Sequence, residues 1–111
     1  MDSDTAREEW VRELEQFTDR NAGRRTVLEV DGAEFGAQEQ ERDYPLRGVA
    51  YDPRDGRLEI MLGDETGTSR HLTHTVGDVK EVDVLTGEDG RDQALRVEHD
   101  GGTQTLLRLI G

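Results

Sequence analysis

From Arg24 onward, apolar side chains recur at every second position, and Asp-Gly pairs punctuate the runs at residues 31–32, 55–56, 89–90 and 100–101. Period-two alternation gives a strand one apolar and one polar face, and Asp-Gly accepts the positive φ of tight hairpin turns. Together they commit most of the chain to antiparallel hairpins. With Asp31-Gly32 as a two-residue turn, Val30 is expected opposite Ala33, Leu28 opposite Phe35 and Thr26 opposite Ala37. The same construction at Asp89-Gly90 sets Val84 against Leu95 and Val82 against Val97, aligning apolar side chains across the ladder. A five-residue turn over 52–56 would set Ala50 against Leu58, Gly48 against Ile60 and Leu46 against Leu62. Segment 63–68 is expected to be the most mobile loop. Further strands are expected over 69–76, 79–86, 92–99 and 103–110.

Ahead of the alternation the period is helical. Trp10, Val11, Leu14 and Phe17 share one side of a helix and Glu8, Arg12, Glu15 and Asp19 the other. Thr5 and Glu8 have capping-box spacing, which predicts a start near Ala6. Asn21-Ala22-Gly23 supplies a left-handed terminator after about Arg20. The fold class is therefore α+β: one N-terminal helix over 6–20 on a strongly twisted antiparallel meander over 24–110, about eight strands curled into a half-barrel or folded into two layers. One domain over 1–111 suits this length. Strand order is expected to follow the sequence for the most part.

The core must be thin, since only 24 of 111 residues are Leu, Val, Ile or Phe. With 26 acidic against 14 basic residues the net charge is −12, which opposes binding to nucleic-acid phosphates. Lys80 is the single lysine, and arginines beside excess carboxylates fit a salt-adapted or GC-rich source, where surface acids hold water. Cysteine is absent, which excludes disulfide and thiol chemistry. The acidic start MDSDTAREEW lacks the character of a signal peptide, and no apolar run approaches the roughly 20 residues of a membrane span. A cytoplasmic protein is expected, with no cofactor and no membrane association.

Candidate chemistry is sparse. His71 and His74 stand three apart in RHLTHTVGD, so on a strand they point to opposite faces and cannot share a metal ion. His74 alternates with Leu72 and Val76, and His99 continues the face of Leu95 and Val97. The two could meet in a pocket near Asp100 or Lys80, but zinc ordinarily takes three or four protein ligands. Neither a metal site nor a catalytic residue is assigned. Glu81 opposite Glu98, with Asp83 opposite Arg96, reads as solvated charge, because paired glycosidase carboxylates need a cleft between them. Serine occurs only at 3 and 69, and the phosphate-binding glycine loops and the GxSxG elbow are absent.

The 46–62 hairpin offers a different feature. In its expected register Arg47, Val49, Tyr51, Arg57 and Met61 share one face, a mixture typical of interface centres. That face lies either under the helix or a second layer, or against a partner.

The stretch DYPLRGVAYDPRDGRLEIMLGD at 43–64, with HLTHTV at 71–76, the tryptophan-bearing EEWVRELEQF, Gly36-Ala37-Gln38 and the ending TLLRLIG, resembles a family of small bacterial proteins known only as a domain of unknown function. The resemblance spans nearly the whole chain and implies a fold, with no activity or site residue to carry over. At Gly77-Asp78 the chain departs from relatives that carry a proline after the HTV-like segment, which leaves that turn's shape open. The leading expectation is a non-enzymatic module that binds a protein partner or forms a homo-oligomer through the Tyr51 face or a strand edge. The alternative is a small enzyme or ligand-binding protein with a pocket around His74 and His99.

Overall fold

The computed structural model describes residues 3–32, 36–63 and 71–110, with side chains described over 6–32, 43–63 and 71–110. One helix, α1 (Ser3–Asn21), precedes seven strands: β1 (Arg25–Gly32), β2 (Gly36–Asp52), β3 (Arg57–Gly63), β4 (His71–Val76), β5 (Glu81–Thr86), β6 (Asp92–His99) and β7 (Thr103–Leu109). All strand pairings among the described residues are antiparallel, and the sheet order is β4-β3-β2-β1-β7-β6-β5. Two meanders, β1 to β4 and β5 to β7, are thus joined through the β1–β7 pair, a departure from simple sequence order.

This order forces the sheet to curl. In a flat seven-stranded sheet the outer strands would lie about 29 Å apart, at about 4.8 Å per spacing. Yet β4 and β5 are those outer strands, and only residues 77–80 join them. Five Cα steps reach at most about 18 Å. The linker seals one end of the curl: Lys80 N donates to Glu98 O at 2.7 Å, Asp100 N to Asp78 O at 3.3 Å, and Val79 joins the core. Asp78 takes φ +50°, a conformation closed to proline, so this turn differs from one built on proline at that position.

The α+β reading holds, with one helix on an unclosed antiparallel sheet of seven strands, close to the eight expected, and three details of it are corrected. The helix begins at Ser3, so Thr5 lies inside it and is not its cap; Ser3 and Asp4 are themselves residue types suited to a first turn. Its other end is as expected, with Gly23 at φ +89° and Ala22 N donating to Thr18 O at 2.9 Å. The strands number seven because 36–52 run as one, bent at Asp43 where φ is +65° and the register with β1 shifts. A bulge bends a strand without ending it.

Both N-terminal hairpin registers also differ. Asp31 and Gly32 stay in β1, opposite Ala37 and Gly36, and Val30 faces Gln38 and not Ala33. Pairing of Asp31 with Gln104 on the other side extends β1 past its local turn signal. The turn itself, and residues 64–68 of the loop expected over 63–68, lie outside the described residues, while Gly63 ends β3. In the β2–β3 hairpin, Tyr51 faces Leu58, Val49 faces Ile60 and Ala50 faces Glu59, one residue off the expected register, while Leu46 faces Leu62 as expected. The turn holds four residues: Gly56 N donates to Asp52 O at 2.9 Å with Gly56 at φ +67°, and Arg54 N donates to Asp52 Oδ1 at 2.9 Å. An irregularity around Arg47 keeps Leu46 and Val49, three apart, on the same inner face. Burying Val49 and Tyr51 together is favourable by about 1.5–3 kcal/mol each, enough to override a nominal turn length. The β5–β6 register agrees with expectation at Glu81–Glu98, Val82–Val97, Asp83–Arg96 and Val84–Leu95.

The core lies inside the curl, where Leu28, Leu95 and Leu107 meet Leu58, Ile60 and Leu62, with Leu14 and Phe17 of α1 laid among them. β1 accompanies β2 only as far as Pro45, with Arg24 O accepting from Leu46 N at 2.8 Å. Beyond that point the helix takes over: Thr18 Oγ1 accepts from Val49 N at 3.0 Å and donates to Val49 O at 3.2 Å. A single hydroxyl thereby satisfies the backbone groups that a neighbouring strand would have paired. Trp10 and Tyr51 close the contact edge to face, with centroids 5.2 Å apart.

Candidate functional site

His71 is exposed and His74 half-buried on the opposite, inner face, where it pairs across the ladder with Ile60. Arg47 Nη1 donates to His71 Nδ1 on the outside. His99 is buried, with Nδ1 2.7 Å from Asp100 Oδ2 and Nε2 2.7 Å from Thr105 Oγ1. In the neutral ring Nδ1 donates to the carboxylate and the threonine hydroxyl donates to Nε2; in the charged ring both nitrogens donate. This Asp-His-Thr chain has the connectivity of a nucleophile, base and orienter. Thr105, however, is completely buried, so its hydroxyl is out of a substrate's reach. His74 feels desolvation and then the charge of His99, and both push its pKa below 6.5. Among the described residues no three His, Asp or Glu side chains are grouped as metal ligands.

The five residues of the expected hairpin face are divided between two sides. Val49 and Tyr51, 3% and 6% exposed, belong to the core, whereas Arg47 and Arg57 are exposed and Met61 half-buried on the outside. Arg47 and Met61 line two shallow depressions, of about 500 and 420 Å³, beside β4 and beside α1.

A more organised arrangement lies on the outer face of β5, β6, β7 and β1. By the pleat, Leu85, Ala94, Arg108 and Val27 form one cross-strand row there, and Asp83, Arg96, Leu106 and Glu29 the next. Ion pairs bound this face, Arg96 Nη2 to Asp83 Oδ2 and Arg108 Nη2 to Glu29 Oε1, each 2.5 Å. The hydrogen bond from Arg96 to Asp83 and the neighbouring charges of Asp83, Glu81 and Glu98 hold the guanidinium pKa above its usual value. Leu85 and Ile110, at 42% and 47%, are the exposed large hydrophobic residues among those described, and both line the same depression of about 540 Å³.

Beside it, the end of α1 meets the start of β6. Asp92 at the start of β6 is 8% exposed, and its Oδ2 accepts from Arg20 Nε at 2.8 Å and Asn21 Nδ2 at 2.7 Å. Arg24 Nη1 donates to Asp92 O at 2.8 Å and to Asn21 Oδ1 at 2.9 Å. Burial alone would raise the Asp92 pKa; the hydrogen bonds from Arg20 and Asn21, with the charges of Arg20 and Arg24, outweigh it and leave the pKa below 3.8. Arg24 and Arg91 line both the large depression and a smaller one of about 230 Å³ beside it.

Sequence reasoning did not single out Leu85, Asp92, Arg91, Arg108 or Ile110. The signal for Leu85 was present: the correctly placed β5–β6 register sets it opposite Ala94, outside the alternation of Val82 and Val84. The arginines come together from α1, the β5–β6 turn and β7, a convergence that only the β1–β7 pairing creates. Arginine forks beside exposed leucine and isoleucine can bind and orient a partner, and they include no nucleophile.

An "Uncharacterized protein" of Aquifex aeolicus (strain VF5) is 30% identical over 103 residues, covering 93% of this chain and 86% of the relative. No solved structure matches the chain. The model of a family of unknown function, DUF5335, matches residues 1–110, and the chain belongs to that family.

Proposed function

We propose that this chain is a non-enzymatic protein-interaction module whose contact surface is the outer face around Leu85 and Ile110. The observation that carries this reading is the coincidence of those two exposed hydrophobic residues over one depression of about 540 Å³. Apolar residues gathered at a concave site and rimmed by ion pairs are the usual anatomy of a contact face. The face expected from the hairpin has less behind it, because Val49 and Tyr51 are core residues. A ligand pocket around His74 and His99 also has less behind it, since both ring nitrogens of His99 are engaged by Asp100 and Thr105.

Photo-crosslinking tests the reading. A benzophenone side chain at position 85 or 110 should give discrete protein adducts in cells, whereas one at the exposed position 57 should not. Equal labelling at all three positions would sink the reading, and adducts of twice the chain's own mass would identify the partner as a second copy.

A further inference from the structure

The depression has a charge that the chain as a whole lacks. Four arginines, Arg20, Arg24, Arg91 and Arg108, line it and the adjoining smaller one, against two aspartates, Asp89 and Asp92. Both aspartates are engaged: Asp92 accepts from Arg20 and Asn21, and Asp89 Oδ1 accepts from Arg91 N at 3.0 Å. Arg91 is exposed and its guanidinium forms no ion pair among the described residues. Arg108 gives Nη2 to Glu29 and keeps further N–H donors. On a chain of net charge −12, this is a local positive site set against an apolar floor.

We propose that this groove receives an acidic peptide segment of a partner protein, with apolar side chains over Leu85, Leu106 and Ile110 and carboxylates on Arg91 and Arg108. This rests on the interaction reading above and adds the partner's chemistry to it. Charge complementarity selects the occupant. A basic segment would meet arginine here and would gather on the acidic remainder of the surface. A neutral apolar segment would cover Arg91 and Arg108 and strip them of water without supplying acceptors, which is costly. A carboxylate satisfies the guanidinium fork with two parallel hydrogen bonds.

The test uses the full chain and three synthetic peptides. The first carries leucines interleaved with Asp and Glu; the second replaces the acids by Asn and Gln; the third replaces leucine by serine. Amide NMR titration should show the first peptide shifting the signals of Leu85, Ala94, Leu106 and Arg108. Both control peptides, and the variants Arg91→Gln and Arg108→Gln, should bind at least about tenfold more weakly, as expected for loss of a charge-assisted pair. Leu85→Ser with Ile110→Ser should remove binding while circular dichroism stays unchanged. Equal affinity for the acidic and amide peptides, or no effect of the arginine variants, overturns the acidic chemistry. If the Leu85 and Ile110 double variant still weakens binding in that case, the interaction surface stands without it. Failure of every peptide to shift the groove overturns this proposal, and the crosslinks at position 85 then decide the surface separately. Octanoate shifting the same signals in place of the peptide, or a dimer seen by sedimentation with the groove protected, overturns the peptide occupant.

Discussion

Asp92 ties the last turn of the helix to the first residue of β6, and its consequences can be measured at a single site. Replacing it with Ala takes the carboxylate acceptor from the Arg20 guanidinium and leaves the buried Asn21 amide only its bond to Phe17 O, which should cost about 1–3 kcal/mol in urea unfolding at pH 7. Because its folded pKa lies below 3.8, Asp92 contributes stability that is present above that pH and is lost as pH falls through the folded value. The wild type should therefore lose more stability than Asp92→Asn between pH 5 and pH 2.5. Equal acid limbs would contradict the arrangement. His74 has the same sign at a higher pH. Its folded pKa is depressed below 6.5, first by desolvation and then by the His99 charge, so stability is full above pH 6.5 and declines as pH falls toward the depressed value. In His74→Gln that decline should be smaller, as read from melting temperatures at pH 7.5 and 5.5.

Among the elements, the contact between α1 and β2 shows what pattern can and cannot reveal. The apolar stripe of Trp10, Leu14 and Phe17 was legible because helical periodicity is local, and the β5–β6 register was legible because Asp89-Gly90 and the Val82–Val97 alignment agree. The β2–β3 register was not. A turn of four or five residues suits the same sequence, and the choice is made by burial of Val49 and Tyr51 against a helix far away in the chain. The first hairpin failed for a related reason, since pairing with β7 carries β1 past its own turn residues. The arginine groove was illegible because its walls come from three separated segments. A prediction follows for the helix contact. Thr18→Val removes the hydroxyl that serves both Val49 N and Val49 O, so it should lower stability by about 1–3 kcal/mol and speed amide exchange at Val49. Unchanged exchange there would mean that the hydroxyl does not stand in for a strand. Gly48 reports the same approach: a Cβ would meet Thr18 Cγ2 at 3.3 Å, so Gly48→Ala should be tolerated better when combined with Thr18→Ser.

For the whole molecule, charge and the curl of the sheet act together. A chain of net charge −12 repels itself, and the β5–β6 pairing sets Glu81 opposite Glu98 beside Arg96, whose charge is already shared with Asp83. Raising ionic strength from about 0.1 to 1 M shortens the screening length from about 10 to about 3 Å, so the melting temperature should rise by several degrees. Sodium and potassium chloride should act alike if screening is the cause, and a flat or falling curve in both would remove self-repulsion as a factor. Which hydrophobic residues are core and which are contact surface decides both the packing of the sheet and the proposed contact face. Thermal unfolding of two double variants side by side tests this most directly. Val49→Ser with Tyr51→Ser should lose most or all cooperative unfolding, because each substitution opens a buried site worth about 2–5 kcal/mol against a total of about 5–15. Leu85→Ser with Ile110→Ser should melt within a few degrees of the wild type, as surface substitutions do. A stable Val49 and Tyr51 variant beside an unfolded Leu85 and Ile110 variant would reverse the assignment and contradict the account.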